Sequence, residues 1–394
     1  MKRIKLVRIT TAPISLRLLI TGQPEYMQEH GFEVILISAD GDDWAQMPNL
    51  DRFQHIKIDM ARQISLVKDA KALMQLTKLF RKIKPDIVHS HTPKAGLLAM
   101  MAAKASGVPV RVHTLAGMPL MTTSGIRRKI LTWAEKMTYT CASEVWPNSK
   151  ELSKFISQNK MISPEKSRMI LNGSSNGIDL SRYSRENLSA ERLEELRNLH
   201  KISADNFIFL AVGRVVKDKG IEELVEAFSE INIKYPHTRL FILGPFEEAN
   251  AVSEEVKKVI QNHPKITHIH WSDEVEYYMA LASCFIHASH REGFPNVVLQ
   301  AGAMQCPIIC SNITGNIDIV ENEEEGNTYM VRDKNALVAQ MNWVLNNYGQ
   351  AQQKAIKLQQ KILNNFDRQS VFKAIKQRYV ELLKQEGIDV SGIR

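Results

Sequence analysis

Short apolar runs alternate along this chain with longer stretches in which apolar residues return every three or four positions. In the first half, residues 5–9, 33–38, 85–91, 108–114 and 144–147 read as strands. Residues 17–30, closed by Gly31, read as a helix, as do 96–106 and 127–142. Leu66, Ala70, Leu73, Leu76, Leu79 and Phe80 mark a further helix over residues 65–83. A polar, turn-rich segment, 171–179, has the composition of a domain linker, and a charged helical stretch follows at 190–200. Strands then read at 207–212, 239–243, 266–270, 284–287 and 307–310, with helices at 221–234, 252–262, 296–305 and 335–347. Strand–helix alternation on this scale predicts an α/β chain with two open parallel sheets, each covered on both faces. Such sheets place ligands at the carboxyl ends of their strands. A last amphipathic helix, 369–385, has no evident partner in the sequence.

Composition agrees with this picture. A chain of 394 residues with 44% hydrophobic and 24% charged residues can build two substantial cores. Cys141, Cys284, Cys306 and Cys310 are scattered without ligand spacing. Cys306 and Cys310 flank an apolar strand, so they read as core thiols of a protein in the reducing cytoplasm. The basic start at Met1 could open a leader, but Arg8, Pro13 and Arg17 interrupt the apolar stretch, and a first strand is expected instead. No apolar run approaches the roughly 20 residues that span a bilayer. The net charge of +8 favours anionic partners: nucleic acid, acidic lipid or phosphorylated substrates. Without an arginine-rich tract or a basic stripe interleaved with aromatics, nucleic acid is the weakest of these.

Three groups of residues carry candidate chemistry. Glu292, Gly293, Phe294 and Pro295 precede a helix for which Asn296 is a plausible N-cap. Val297, Val298 and Leu299 would then turn their amides into the space beside Glu292. A carboxylate for sugar hydroxyls next to an amide cradle for phosphate suits a sugar nucleotide. A loop entering a buried helix with a solvated Glu292 is the alternative. Gly213, Arg214 and Lys219 lie between a strand and a helix, where two cations could meet the charge of a departing diphosphate; a polar loop with solvated charges is the plainer reading. The spacing is not that of a Walker loop. His89 and His91 share one side of a strand end. Without a third ligand nearby, a polar contact or a structural hydrogen bond is favoured over a metal. Lys94 follows them and could meet a phosphate or stay solvated. His113 ends a strand before the flexible stretch around Gly117, and could touch a sugar hydroxyl or bond the backbone. Arg127, Arg128 and Lys129 gather at a helix start against the helix dipole, which fits an anionic membrane surface or a solvated face.

Taken together, these segments resemble the group-4 nucleotide-sugar glycosyltransferases of bacterial capsular and lipid-linked oligosaccharide synthesis. The supporting stretches are residues 10–17, 89–94, 113–117, 176–179, 213–220, 292–296 and 315–320, in that order and spacing. The resemblance implies the GT-B fold, two Rossmann-like domains facing across a cleft. Residues 1–175 would bind acceptor, 176–367 would bind donor, and 368–394 would pack back on the first domain. It implies a retaining transfer from a nucleotide diphosphate sugar, a UDP-hexose or UDP-N-acetylhexosamine, to a lipid-linked or growing glycan. No metal or other cofactor is implied, and the oligomeric state stays open. Glu292, His113, Arg214 and Lys219 would form the catalytic group. The donor set would add Gly213, Gly244, Val275, Gly293, Phe294, Pro295, Asn296, Val297, Val298 and Gln300, with the backbone of 273–275 on the base. Ser15, Arg17, His91, Lys94 and Gly117 would face the acceptor. The enzyme would work in the cytoplasm, docked peripherally on the inner face of the plasma membrane. Two departures stand out: Gln300 occupies a position where the family commonly has glutamate, and the first loop has Ala12, Pro13, Ile14 and Ser15 in place of paired glycines. A sugar-nucleotide epimerase of the same architecture is the rival reading, and a silent nucleotide-binding protein a third.

Overall fold

The computed structural model describes residues 3–47, 49–60 and 65–394; Met1 and Lys2, part of the basic start weighed as a leader, lie outside these. The chain forms two compact units, residues 1–177 with 368–394, and residues 178–367.

The first unit is built on β1 (Ile4–Ile9), β2 (Phe32–Ser38), β3 (Gln54–Lys57), β4 (Ile87–Ser90), β5 (Val110–Leu115) and β6 (Glu144–Pro147). All pair in parallel, in the order β3-β2-β1-β4-β5-β6. Successive side chains point to opposite faces. Val7, Ile9, Ile35, Ile37 and Val88 therefore lie under one layer of helices, and Leu6, Val34, Leu36, Val110 and Val112 under the other. The helices are α1 (Pro13–Leu19), α2 (Gln23–Glu29), α3 (Leu66–Ile83), α4 (Pro93–Ala105), α5 (Gly125–Cys141) and α6 (Lys150–Gln158). The single helix expected over 17–30 is in fact two. The chain turns at Gly22 (φ 82°), and Pro24 sits in the first turn of α2, where its missing N–H costs nothing. The final helix, Arg368–Gln385, closes the second face of this sheet. Val371, Ile375, Tyr379 and Leu383 pack with Leu6, Leu16, Met27 and Phe32, and Arg378 forks onto the buried Glu144 at 2.7 and 3.0 Å.

The second unit contains β7 (Phe207–Val212), β8 (Thr238–Leu243), β9 (Ile266–Ile269), β10 (Cys284–His287), β11 (Ile308–Ser311) and β12 (Asn327–Tyr329), again all parallel. Its order, β12-β11-β10-β7-β8-β9, repeats the first sheet's pattern. After α7 (Ala190–Leu199), one face is covered by α8 (Ile221–Lys234), α9 (Glu254–Asn262) and a helix at Lys334–Asn346. The other face carries α10 (Val275–Leu281), α11 (Asn296–Ala303) and a helix at Tyr348–Asn365. All four cysteines are buried free thiols, and burial pushes Cys306 and Cys310 up to about 12.

In each sheet the winding direction reverses once, between β1 and β4 and between β7 and β10. Loops leaving these neighbouring strands diverge and open a crevice at their carboxyl ends. Most of the candidate residues lie on or beside those loops.

Candidate active site

In the second unit, the segment after β7 lies against the segment after β10. Gly220 (φ 66°) heads α8 so close to the second segment that a Cβ there would sit 2.1 Å from the Ala288 carbonyl oxygen. Polar contacts stitch the two together. The His290 amide and the Ser289 hydroxyl both donate to the Asp218 carbonyl, at 2.8 and 3.1 Å. Arg291 forks onto the Asp218 carboxylate at 2.7 and 3.0 Å, and His290 Nε2 lies 2.8 Å from Glu223. This stitching brings Lys219 and Glu292 into contact, ammonium to carboxylate.

His287, the last residue of β10, places Nε2 3.4 Å from the same Glu292 oxygen. The Asn316 side-chain nitrogen donates to the Ser311 carbonyl at 2.8 Å, so its oxygen faces His287 Nδ1, also at 2.8 Å. The imidazole is thus held with Nδ1 against the Asn316 oxygen and Nε2 against the carboxylate. Burial alone would raise the Glu292 carboxyl, but Lys219 and then His287 hold it well below the usual carboxylate range. Glu292 is thus an anion fixed in place, an acceptor for hydroxyl donors.

Around this pair, Arg214 is half-exposed and held by Glu247 at 2.7 Å. The two expected phosphate cations each have a carboxylate partner. Gly213 donates its amide to Leu243 at 2.9 Å, and a Cβ on Gly244 would come within 1.9 Å of the Gly213 carbonyl oxygen, so the segments after β7 and β8 also touch. Gly293, Phe294 and Pro295 are buried, with Phe294 against Phe366 at 5.6 Å between centroids. The helix start differs from expectation. Pro295 is the N-cap and Asn296 the first helical residue, so the Asn296 side chain caps nothing. The Val298 and Leu299 amides turn back to the Pro295 carbonyl at 3.1 and 3.5 Å, which leaves Asn296 and Val297 as the leading amides of the turn. Gln300 is partly buried on α11, and Val275 opens α10 behind Glu274, with the Asp273 carbonyl accepting from Arg182.

The carboxyl edge of the first sheet is built differently. Arg8 is fully buried, donates to His91 Nε2 at 3.1 Å and to Gln23 at 2.8 Å, and leaves NH1 without a partner. His89 bonds the Tyr379 hydroxyl and lies 2.7 Å from Thr114 Oγ1. Its ring lies tilted by 36° beside that of His91, 4.1 Å between centroids. Burial, then the neighbouring positive groups, hold both histidines well below their usual value. His113 lies 2.8 Å from Ser90 Oγ, and burial lowers it to about 4, so it is neutral at physiological pH. Lys94 faces inward onto Asp69, with both carboxylate oxygens at 2.7 Å, so, like Lys219, it has a carboxylate partner rather than standing solvated. Ser15 lies in the first turn of α1, Arg17 pairs with Asp43 at 3.4 Å, and Gly117 follows β5 half-buried. Sequence reasoning missed Arg8, although a charge at the carboxyl end of an apolar strand is a visible signal. It also missed Glu135, whose carboxyl burial raises to about 7. Among the described residues no cluster of three or more histidines, cysteines or carboxylates could hold a metal, and no helix is long and apolar enough to cross a membrane.

Comparison with known proteins places these edges in context. Residues 193–362 match the family described as Glycosyl transferases group 1, and residues 18–146 match Glycosyl transferase 4-like. The chain is 33% identical over 386 residues to the capsular polysaccharide biosynthesis glycosyltransferase CapM of Staphylococcus aureus, covering 98% of this chain and 99% of that one. It is 29% identical over 270 residues, 68% of each chain, to the Escherichia coli UDP-Gal:alpha-D-GlcNAc-diphosphoundecaprenol alpha-1,3-galactosyltransferase. Its fold is similar to that of Anabaena HepE, solved with UDP and glucose, at TM-score 0.79 and 17% identity, over 96% of this chain and all of that one. A putative UDP-N-acetylglucosamine 2-epimerase from Listeria monocytogenes shares the fold at TM-score 0.69 and 16% identity, over 99% of this chain and 98% of that one.

Proposed function

The chain belongs to the glycosyltransferases of the group 1 and 4-like families, with the GT-B pairing of two Rossmann-like units, and from that premise we propose that it transfers a sugar from a UDP-sugar to a lipid-linked glycan with retention of configuration. The observation that carries this reading is the Lys219–Glu292 contact at the switch point of the second sheet, with His287 behind it. A sugar diphosphate brings what this arrangement lacks: an anion for the ammonium and hydroxyl donors for the carboxylate. Lys219, with Arg214 released from Glu247, meets charge on the diphosphate, and the amides of Asn296 and Val297 add donors to the distal phosphate. Glu292 accepts from hydroxyls of the donor sugar. As the bond from the anomeric carbon to the phosphate oxygen breaks, the bonding pair stays on that oxygen. The acceptor hydroxyl then attacks from the same face and passes its proton to the departing phosphate, so no protein base is needed. Fixed cations lower the barrier because charge grows on the leaving group only as the bond opens.

Similarity to the capsular enzyme and to the undecaprenol-linked galactosyltransferase supports a lipid-linked acceptor. The carboxyl edge of the first sheet, with Ser15, Arg17, His91, His113 and Gly117, is read as the acceptor side. His113 is a neutral group there, able to exchange hydrogen bonds and unable to supply a proton at neutral pH. No resident metal or cofactor enters the reaction.

The test is incubation with a panel of UDP-sugars, with and without an undecaprenyl-diphosphate-linked acceptor. Acceptor-dependent release of UDP is expected, with the anomeric configuration kept in the product. Glu292→Ala and Lys219→Ala should each lower kcat/KM by at least ~10²-fold, the scale of losing one charge-stabilising contact. Near-normal turnover in either variant, an inverted product, or an epimerised donor without acceptor would reject the assignment.

A further inference from the structure

The second unit holds a cavity of about 490 Å³ at the edge of its sheet opposite Glu292. Ile208, Ser283 and Pro307 line it where β7, β10 and β11 begin. His287, which faces Glu292, ends the same β10, ~13 Å along the strand from Ser283. The volume suits a small organic molecule rather than a single water.

Two arginines open onto this cavity, and among the described residues no carboxylate lines it. Arg197, in the last turn of α7, is exposed, and its guanidinium bonds no described residue. Arg185 donates from Nε to the Met304 carbonyl at 2.6 Å and from Nη1 to the Ala280 carbonyl at 3.2 Å, which leaves Nη2 unused. Those bonds satisfy carbonyls at the ends of α11 and α10 and fix the guanidinium at the rim. Arg214 and Arg291, at the other edge of the sheet, each have a carboxylate partner; these two have none. The helix Tyr348–Asn365 begins at the cavity without a side-chain cap, so its amino end adds partial positive charge. Guanidinium forks free of carboxylates suit a phosphate.

The rest of the polar lining is rich in amides: Gln305, Gln352 and Gln353. Gln305, just past α11, stands in left-handed backbone (φ 53°), a place glycine usually fills. Its side chain is partly buried and bonds no described residue. An amide both donates and accepts, which matches a hydroxyl. An apolar ligand would strand the guanidiniums, and a bare ion would leave most of the volume to water.

We propose that this cavity binds a sugar phosphate, with the phosphate between Arg185 and Arg197 and the sugar hydroxyls on Gln305 and its neighbouring amides. The inference is independent of the catalytic reading, because binding here requires no turnover and uses no residue of the candidate active site.

The full chain is to be titrated calorimetrically with glucose 1-phosphate and with N-acetylglucosamine 1-phosphate, in excess UDP to keep the candidate donor site out of the measurement. Saturable binding of at least one is expected, with glucose and inorganic phosphate each at least ~10-fold weaker. Arg197→Gln should weaken binding at least ~10-fold and keep the wild-type Tm and its rise with UDP, since that side chain is exposed and bonds nothing. Gln305→Gly removes the amide and suits the left-handed backbone, so it should weaken binding severalfold while Tm holds or rises. Absence of saturable binding by both sugar phosphates, equal binding of inorganic phosphate or glucose, or unchanged binding in either variant would overturn the proposal.

Discussion

The switch points of the two sheets share a strand order and manage charge in opposite ways. At the second, Lys219 with Glu292, Arg214 with Glu247 and Arg291 with Asp218 are ion pairs on partly exposed loops. At the first, the guanidinium of Arg8 lies among His89, His91 and Gln23, all buried. The two more exposed pairs, Arg214 with Glu247 and Arg291 with Asp218, exchange partners at little cost, whereas Lys219 leaves Glu292 only for an anion that replaces it, which on the proposed reading is the diphosphate. At the first, the histidines stay uncharged around one guanidinium, because burial and that cation suppress their protonation. On the proposed reading, one topology yields a donor edge of ion pairs and an acceptor edge of buried hydrogen-bonding groups.

The largest stability effect should come from breaking the most buried pair of the second edge. Lys219→Ala leaves the Glu292 carboxylate without its ammonium and should cost about 3 kcal/mol. Urea denaturation measures it, and a loss under ~1 kcal/mol would put this pair in the same class as surface pairs.

Acid should act on the first edge instead. His113 has a folded value of about 4 against an ordinary 6.5, so the unfolded chain binds the extra proton between those values. Stability should fall by up to about 3 kcal/mol as pH drops through that window. Amide exchange in β4 and β5 against pH reads this directly, and a flat profile would contradict the neutral edge.

Glu135 works in the reverse direction. Burial raises it to about 7 from 4.5, so its contribution is favourable below 4.5 and lost as pH rises through 7. Glu135→Gln should therefore gain on the wild type by about 2 kcal/mol between pH 5 and pH 8, visible as a Tm difference that widens with pH. The smallest effect belongs to Arg214→Ala. Its half-exposed pair with Glu247 should contribute less than ~1 kcal/mol, although the same change should weaken UDP binding severalfold in a thermal-shift titration.

The two parallel sheets were legible because their strands are short apolar runs bounded by turn residues, and the linker around 171–179 contains the crossing at Gly177. Several elements escaped, β12 and α6 among them, and three further features did so for different reasons. β3 is a polar edge strand with no apolar pattern to read. The helix at Tyr348–Asn365 did carry one, since Ala351, Ala355, Leu358 and Ile362 repeat at helical spacing within a glutamine-rich stretch that reads as surface. The break between α1 and α2 was signalled by Gly22 and Pro24, yet the apolar periodicity runs through both. At the site, each charged residue was visible while its partner was not. Lys219 and Glu292 are 73 positions apart and Lys94 and Asp69 are 25 apart, and pattern within one element carries no information about contacts between elements. The capping role expected of Asn296 failed because Pro295, with extended backbone, already supplies the turn into α11.

The final helix also governs the order of assembly. Because Arg368–Gln385 completes the core of the first unit, the second unit is in effect an insertion within the first. A ribosome finishes β12 while Leu6, Leu16, Met27 and Phe32 still lack the cover of that helix. The half of the protein that emerges earliest is therefore the last to mature, its second sheet face covered only in part, by α1 and α2, until the final helix has emerged.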